Sequence, residues 1–393
     1  MRDNLKHYPV NWVDGMKINK DLFIAQDNAS LGAMQDFASM QLSAVQFGVL
    51  PPAADGGETF NVKIALDNQN TIRATVHNCQ AVTSGGIRIN VPGLGMAAQS
   101  GSGNLPATTF EFAATSGERT YWIFLIANPF NRQPTGSPDT AENPPRFPYV
   151  QGHYELQVIG ESAYKQFANN PYALAVGKVL INGSSVVNDE GYIPPCYTIN
   201  AHPDLANLLS EIDQFFGQLE MKCSVIVQKI FKKSQQNDLS ELVMYLCDRT
   251  ILFLGPTITQ LRWFVQHQSP AVLLSHIASL ARVMKNTIDL RIGSGKDELM
   301  NYLSEWCELK QGELESMLSS LATLRYDHND VNQNIEKIAR FVRITGKLFE
   351  SLSNLEFIGK RKEVGFFVKE EQQTGNNSNQ GSTEQKARRR FFG

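Results

Sequence analysis

The residue types that carry enzymatic chemistry occur in this chain without the spacing that such chemistry needs. Gly93 and Gly95 follow a plausible strand and resemble part of a dinucleotide-binding loop, but residues 99–103 (Gln-Ser-Gly-Ser-Gly) cannot open a stable helix. Ser162 lies in Gly-Glu-Ser-Ala-Tyr, which lacks the second glycine of a nucleophile elbow, and we interpret it as a strand end before a short helix. The sequence therefore predicts neither a nucleotide site nor a catalytic serine.

Metal ligands are equally dispersed. The seven histidines include no pair at helical ligand spacing, and the sequence has no Cys-x-x-Cys. His77 and Cys79 would share one side of a strand, but two ligands are only a fragment of a site. The five cysteines are scattered and odd in number, which is typical of free thiols in a reducing cytoplasm. We expect no metal, no cofactor, no small-molecule substrate and no enzymatic activity.

Composition limits the remaining classes. A chain of 393 residues predicts two or three domains. Its net charge of −3 argues against a phosphate-neutralising surface, so nucleic acid is not expected as a partner. Residues 1–7 carry no signal-peptide core, and the longest strongly apolar run, Tyr121 to Ala127, is too short to cross a bilayer. We expect a cytoplasmic protein.

The first half of the chain has the period-two pattern of half-buried strands. Apolar residues alternate with polar ones over residues 60–66, 71–76 and 87–91, and turn residues separate these runs. Further candidate strands cover residues 108–113, 119–127, 154–159 and 173–181. The spacing predicts an antiparallel sandwich or barrel. Two long loops, 92–106 and 128–148, are natural places for partner contacts.

Beyond Cys196 the apolar period becomes 3.6. Leucine, isoleucine and phenylalanine form a stripe from Leu205 to Leu219, after a proline suited to the first helical turn. Asn237-Asp238 and Ser269-Pro270 predict further helix starts, Gly255-Pro256 predicts a break or kink, and a last helix covers about residues 335–355. We expect four to six helices that form a bundle or helical hairpins. With the β-patterned half before them, the predicted fold class is α+β. From about residue 363 the composition becomes polar, which predicts a disordered tail.

Two short elements flank the β-patterned half. Trp12, Asp14, Gly15 and Met16 precede a predicted helix, with Asn19 or Lys20 near its start, that carries Phe23, Gln26 and Asp27. Tyr-Ile-Pro-Pro-Cys, residues 192–196, marks the change of period. Over about residues 8–290 the chain resembles the TssK family of type VI secretion baseplate subunits. In that family Trp-x-Asp/Glu-Gly-Met leads into a helix rich in Phe, Gln and Asp, and Ile-Pro-Pro-Cys closes the β-region.

The resemblance implies a structural role. It implies a homotrimeric adaptor whose β-shell, similar to the shoulder of a phage receptor-binding protein, docks on a baseplate wedge that contains TssF and TssG. The trimer would connect that wedge to an envelope or membrane-complex protein. Family members carry a compact α/β domain at the C-terminal end, where this chain has more helix and a polar tail, so a divergent, Bacteroidota-like variant is expected. The alternative is a phage or phage-like tail or fibre-adaptor protein that recognises a surface glycan.

We predict four regions and three groups of functional residues. The regions are an N-terminal segment and helix (1–43), a β-shell (44–198), a helical domain (199–362) and a basic-ended tail (363–393). The first group, Trp12 and Met16 with Gly15, Phe23, Gln26 and Asp27, either anchors the N-terminal segment on the β-domain or contacts a partner. The second, Pro194-Pro195, would form a rigid hinge. The third, Arg388, Arg389, Arg390, Phe391 and Phe392, is either a solvated end or a tethered docking peptide.

Overall fold

The computed structural model describes residues 7–53, 56–67, 71–92, 105–111, 119–182, 185–235, 237–291, 293, 295–307, 309–310, 312–359 and 389–392. The chain divides into two compact units. Unit 1 comprises Met1–Leu205, Val265–Val272 and Tyr326–Asn334, and unit 2 comprises Ala206–Phe264, Leu273–Arg325 and Ile335–Gly393. Antiparallel sheets precede helices, so the predicted α+β class is confirmed. The limits of the four predicted regions stay a prediction.

Unit 1 contains helix α1, Lys20–Met40, short helix α2, Tyr164–Ala168, and two antiparallel sheets. In the first sheet, β3 pairs with β1, β2, β4 and β5, and in the second the order is β7-β6-β8-β9. The strands are β1 Gly48–Val49, β2 Phe60–Asp67, β3 Thr71–Val82, β4 Arg88–Val91, β5 Ala107–Glu111, β6 Thr120–Thr135, β7 Tyr149–Gly160, β8 Ala173–Asn182 and β9 Ser185–Asn188.

Strand β6 is buried on both faces. Tyr121, Ile123 and Leu125 point into the core that the two sheets share, while Trp122 and Phe124 form a second cluster with Ala175 and Tyr192 on the opposite face. This is why Tyr121–Ala127 has a continuous apolar sequence: neither face of the strand meets water.

The predicted loop 128–148 is shorter than expected, because β6 continues to Thr135 and β7 begins at Tyr149. The register shifts between Asn128 and Arg132, and the Asn128 side chain accepts the N–H groups of Phe130 (3.0 Å) and Asn131 (3.2 Å). This bulge accommodates Pro129, which could not donate to a regular ladder. The prediction of a loop over residues 128–135 was wrong for this reason. Most of the predicted loop 92–106 lies outside the described residues.

The helices of the second half are α3 Pro203–Lys232, α4 Asp238–Trp263, α5 Pro270–Asp289, α6 Lys296–Cys307, α7 Glu313–Ala322 and α8 Val331–Asn354. The predicted start of α4 is confirmed: Asn237 and Ser240 form a capping box, with Asn237 Oδ1 accepting the Ser240 N–H at 2.8 Å. Of the break or kink predicted at Gly255-Pro256, the break is wrong, because α4 continues through both residues to Trp263. The kink stays a prediction.

By length and composition alone, α4 could span a membrane. This is weak evidence, because 44% of its most apolar window is buried within the protein, as in the core helices of soluble proteins. Leu246, Leu254 and Leu261 are among its buried side chains.

Candidate partner-binding surface

The N-terminal segment is tied to the helix that follows it. Gly15 adopts a positive φ of 77°, in a turn where the Met16 N–H donates to the Val13 carbonyl at 3.2 Å. Helix α1 begins at Lys20, within the predicted start, and Asn19 caps it by accepting the Leu22 N–H at 3.0 Å. The Gln26 side chain accepts the Val10 N–H at 3.0 Å, so one of the predicted residues holds the segment against α1.

Trp12 and Phe23 also meet. Their ring centroids lie 6.2 Å apart, in a tilted arrangement. Both stay accessible, with Trp12 46% and Phe23 57% exposed, whereas Met16 is half-buried. Trp12 therefore packs locally against Phe23 and leaves much of its indole available to another molecule.

Two contacts fix α1 on the sheets. Arg132 of β6 pairs with Asp27 at 3.3 Å and donates to the Asn28 side chain at 2.9 Å. The turn before β4 approaches α1 so closely that a Cβ at Gly86 would lie 2.8 Å from the Gln35 carbonyl oxygen. Asp27, one of the predicted residues, thus helps to position the helix. The helix can lie this close to the turn because residue 86 is glycine and has no side chain.

Helix α1 exposes most of its large apolar residues. Its one buried residue is Ala29, while Leu22 and Ile24 are half-buried. Phe23, Met34 and Phe37 follow each other at helical spacings of 11 and 3 on the outer face, where they are 57%, 69% and 66% exposed. A surface helix normally turns its large apolar residues toward the core, so this arrangement is typical of an interaction site. We call Trp12, Phe23, Leu31, Met34 and Phe37 the N-terminal apolar surface.

A second feature of unit 1, Tyr326–Asn334, comes from far along the chain. We call it the polar strap. Lys178 of β8 forms a 2.8 Å ion pair with Asp330 and lies over the Trp122 ring at 4.8 Å. Tyr192 Oη donates to the Asn329 carbonyl at 2.8 Å. The outer face of the second sheet is thereby closed by hydrogen-bonded polar groups.

The strap also carries titratable groups. Tyr164 Oη donates to Asp327 at 3.0 Å, and burial, with the adjacent Asp327 carboxylate, raises the pKa of that tyrosine well above its usual range. His328 lies between the Phe47 carbonyl (2.8 Å) and the Tyr326 hydroxyl (2.7 Å). Burial lowers the pKa of His328 to about 4. These hydrogen bonds hold the strap in place.

A cleft of about 1,070 Å³ is lined by α1, residues 42–47, α2 and the strap. Its charged lining residues, Asp36, Lys165 and Asp327, are mixed in sign. Among the described residues, no group of three or more His, Cys, Asp or Glu side chains could hold a metal ion. Cys79, Cys196, Cys223 and Cys247 are buried free thiols.

Pro194 and Pro195 are buried inside unit 1. Val49 of β1 donates to the Pro195 carbonyl at 2.8 Å, and a Cβ at Gly48 would lie 2.0 Å from the same oxygen. Unit 1 continues to Leu205. Pro195 therefore packs against β1, and the predicted role of the two prolines as a rigid hinge stays a prediction.

The predicted C-terminal residues lie in unit 2, except Arg388, which is outside the described residues. Phe391 and Phe392 are half-buried, Arg390 is exposed, and the Arg389 guanidinium lies 4.9 Å from the centre of the Phe391 ring. The structure thus brings together the N-terminal residues of the predicted set in one place and the Arg-Phe-Phe residues in another.

Sequence reasoning missed Arg132 and the polar strap. Both contact residues more than a hundred positions away, which no local pattern records. The strap had one signal: Asp327, His328, Asn329 and Asp330 are a dense polar run between two apolar helices.

A family model matches part of the chain. The family described as Bacterial Type VI secretion, VC_A0110, EvfL, ImpJ, VasE matches residues 133–284. This match covers less than half of the chain, and the resemblance to TssK predicted from the sequence is confirmed. A search of curated proteins found no match.

Solved structures with a similar chain path are also TssK proteins. A crystal structure of TssK aligns with a TM-score of 0.48 at 15% identity, over 88% of this chain and 69% of the other. TssK from T6SS EAEC in complex with nanobody nb18 aligns with a TM-score of 0.46 at 15% identity, over 83% and 99%. A TssK-TssF-TssG baseplate subcomplex contains a chain that aligns with a TM-score of 0.43 at 15% identity, over 88% and 100%.

Proposed function

We propose that this TssK-like chain is a structural component of a bacterial type VI secretion baseplate. It acts as a homotrimeric adaptor in the cytoplasm, at the inner face of the cell envelope. Its N-terminal apolar surface docks on the wedge proteins TssF and TssG, and the trimer links the wedge to an envelope protein. The observation that carries the proposal is the outward orientation of the large apolar residues of α1.

The chemistry of this surface fits a protein partner. Fully burying one large apolar side chain stabilises a complex by about 1.5–3 kcal/mol. Phe23, Met34 and Phe37 are each more than half exposed, so each can still contribute most of that free energy when a partner covers it. Trp12 adds an aromatic side chain of the kind that dominates interface energetics. The helix is held by Arg132 and Gly86, so it presents a preformed face and loses little conformational entropy on binding.

A second apolar stripe supports the trimer. On α4 of unit 2, Leu252, Gly255, Pro256, Thr259 and Trp263 follow each other at helical spacing, and all five are exposed and uncharged. Leu252 is 65% and Trp263 66% exposed. A glycine within an uncharged stripe permits close helix approach, which favours contact with another copy of the same helix. Three copies would present three N-terminal surfaces, and this valency strengthens weak individual contacts.

The test uses a double variant, Met34→Glu with Phe37→Glu, in the full chain. Because both side chains are already about two-thirds exposed, the fold and the oligomeric state should be unchanged, while capture of purified TssF–TssG complex should be lost. The matched control is Val150→Glu with Val187→Glu, which places the same two charges at other exposed apolar positions of unit 1, 55% and 46% accessible. Equal capture by both variants would exclude α1 as the wedge contact.

A further inference from the structure

The segment Arg389–Phe392 is seated on helix α3. The Phe391 N–H donates to both carboxylate oxygens of Glu211 at 3.0 Å, and the Phe392 N–H donates to Glu211 Oε2 at 2.9 Å. Both phenylalanines are half-buried, and the Arg389 guanidinium lies 4.9 Å from the centre of the Phe391 ring. One side chain of α3 therefore receives two consecutive backbone donors.

This geometry is a recognised way of holding an anion. Successive backbone N–H groups form a concave donor site, and here the anion is a carboxylate of the protein itself. Hydrogen bonds to an ionised acceptor are stronger than neutral ones. The bonds come from the backbone, so the contact requires the segment to lie in this conformation. The Arg389 guanidinium lies over the Phe391 ring, a cation–π contact within the segment itself.

We propose that Glu211 is a receptor site for the Arg-Phe-Phe segment of the same chain, and that residues 389–392 form a displaceable latch on α3. Covalent connection through residues 360–388 makes docking intramolecular, and linked elements reach effective concentrations up to the order of millimolar. Three hydrogen bonds and two half-buried rings then suffice to keep the site occupied. A protein that captures this segment must first displace it from Glu211.

The latch is tested on the purified full chain, without baseplate partners, so its failure is independent of the proposed function. Amide hydrogen exchange of Phe391 and Phe392 is measured by NMR in wild type, Glu211→Gln and Glu220→Gln. Glu220 lies nine residues further along α3, half a revolution around the helix, and is the matched control.

We expect exchange in Glu211→Gln to be at least about tenfold faster than in wild type, and Glu220→Gln to match wild type. Equal exchange in wild type and Glu211→Gln would overturn the receptor role of Glu211. A co-expressed mixture of Glu211→Gln chains with chains that lack residues 388–393, and so leave Glu211 open, tests the same-chain assignment. The intact segments should stay unprotected in that mixture, and restored protection would show that they dock on a neighbouring copy.

Discussion

His328 should make the stability of unit 1 depend on pH. Its ring is 4% exposed, and Nε2 lies 2.8 Å from the Phe47 carbonyl oxygen, which only accepts. Nε2 therefore carries the proton of the neutral ring, and Nδ1 accepts the Tyr326 hydroxyl at 2.7 Å. Burial lowers the pKa of His328 from 6.5 to about 4, although the bond to Phe47 acts in the opposite direction.

The sign follows from linkage. Below pH 6.5 the unfolded chain binds a proton at this histidine, whereas the folded chain does not until about pH 4. Stability that is present above pH 6.5 is therefore lost as the pH falls toward 4. The full pKa difference corresponds to about 3 kcal/mol in the free energy of unfolding. About 2 kcal/mol of this stability is lost between about pH 7.5 and about pH 5.

The assay is urea-dependent hydrogen exchange of the β6 amides, Tyr121–Ala127, which reports the unfolding of unit 1 separately from unit 2. When the pH falls over this interval, the free energy of unfolding of unit 1 should decrease by about 2 kcal/mol more in wild type than in His328→Gln. His153→Gln, at a half-buried histidine of β7, is the control and should behave as wild type. The same pH dependence in wild type and His328→Gln would refute the reasoning.

Three further predictions concern folding and assembly. Gly48→Ala should destabilise unit 1 by about 3 kcal/mol or more in urea unfolding, because its Cβ would lie 2.0 Å from the Pro195 oxygen. The control, Gly217→Ala, lies in open space on α3 and should be neutral or stabilising by up to about 1 kcal/mol. Asn237→Ala should cost about 1 kcal/mol through loss of the capping box and lower the midpoint of thermal unfolding. Light scattering should give about three times the chain mass of 43.8 kDa, and Trp263→Asp should reduce it; a monomeric wild type would contradict the trimer.

Local signals were sufficient for most elements. Asn19, Asn237 and Ser269 precede helices that begin at Lys20, Asp238 and Pro270, because a cap acts within one turn and is visible in a short window. The alternation of apolar and polar residues predicted the core strands for a similar reason, because neighbouring residues of a strand point to opposite faces and only one face is buried.

Proline positions were less informative. Pro129 lies at a bulge, where no ladder donor is needed, and Pro256 lies inside a helix that continues beyond it. The sequence shows that the proline lacks an N–H donor, but it does not show whether the chain forms a bulge or continues as a helix at that position.

Long-range contacts could not be predicted. The polar strap returns to unit 1 after five helices, and its contacts with Phe47 and Lys178 depend on the completed fold. The outward face of α1 is a related case. The helix and its large apolar residues were visible, but which side faces water depends on Gly86 and Arg132, which come later in the chain.

The central claim is that the N-terminal apolar surface contacts the baseplate wedge. The most direct measurement is site-specific photocrosslinking in native cells, with a photoreactive residue at position 34 or 37 and, as control, at position 187. Positions 34 and 37 should crosslink to TssF or TssG, and position 187 should not. Crosslinks from positions 34 and 37 only to other copies of this chain, or the same crosslinks from position 187, would contradict the account.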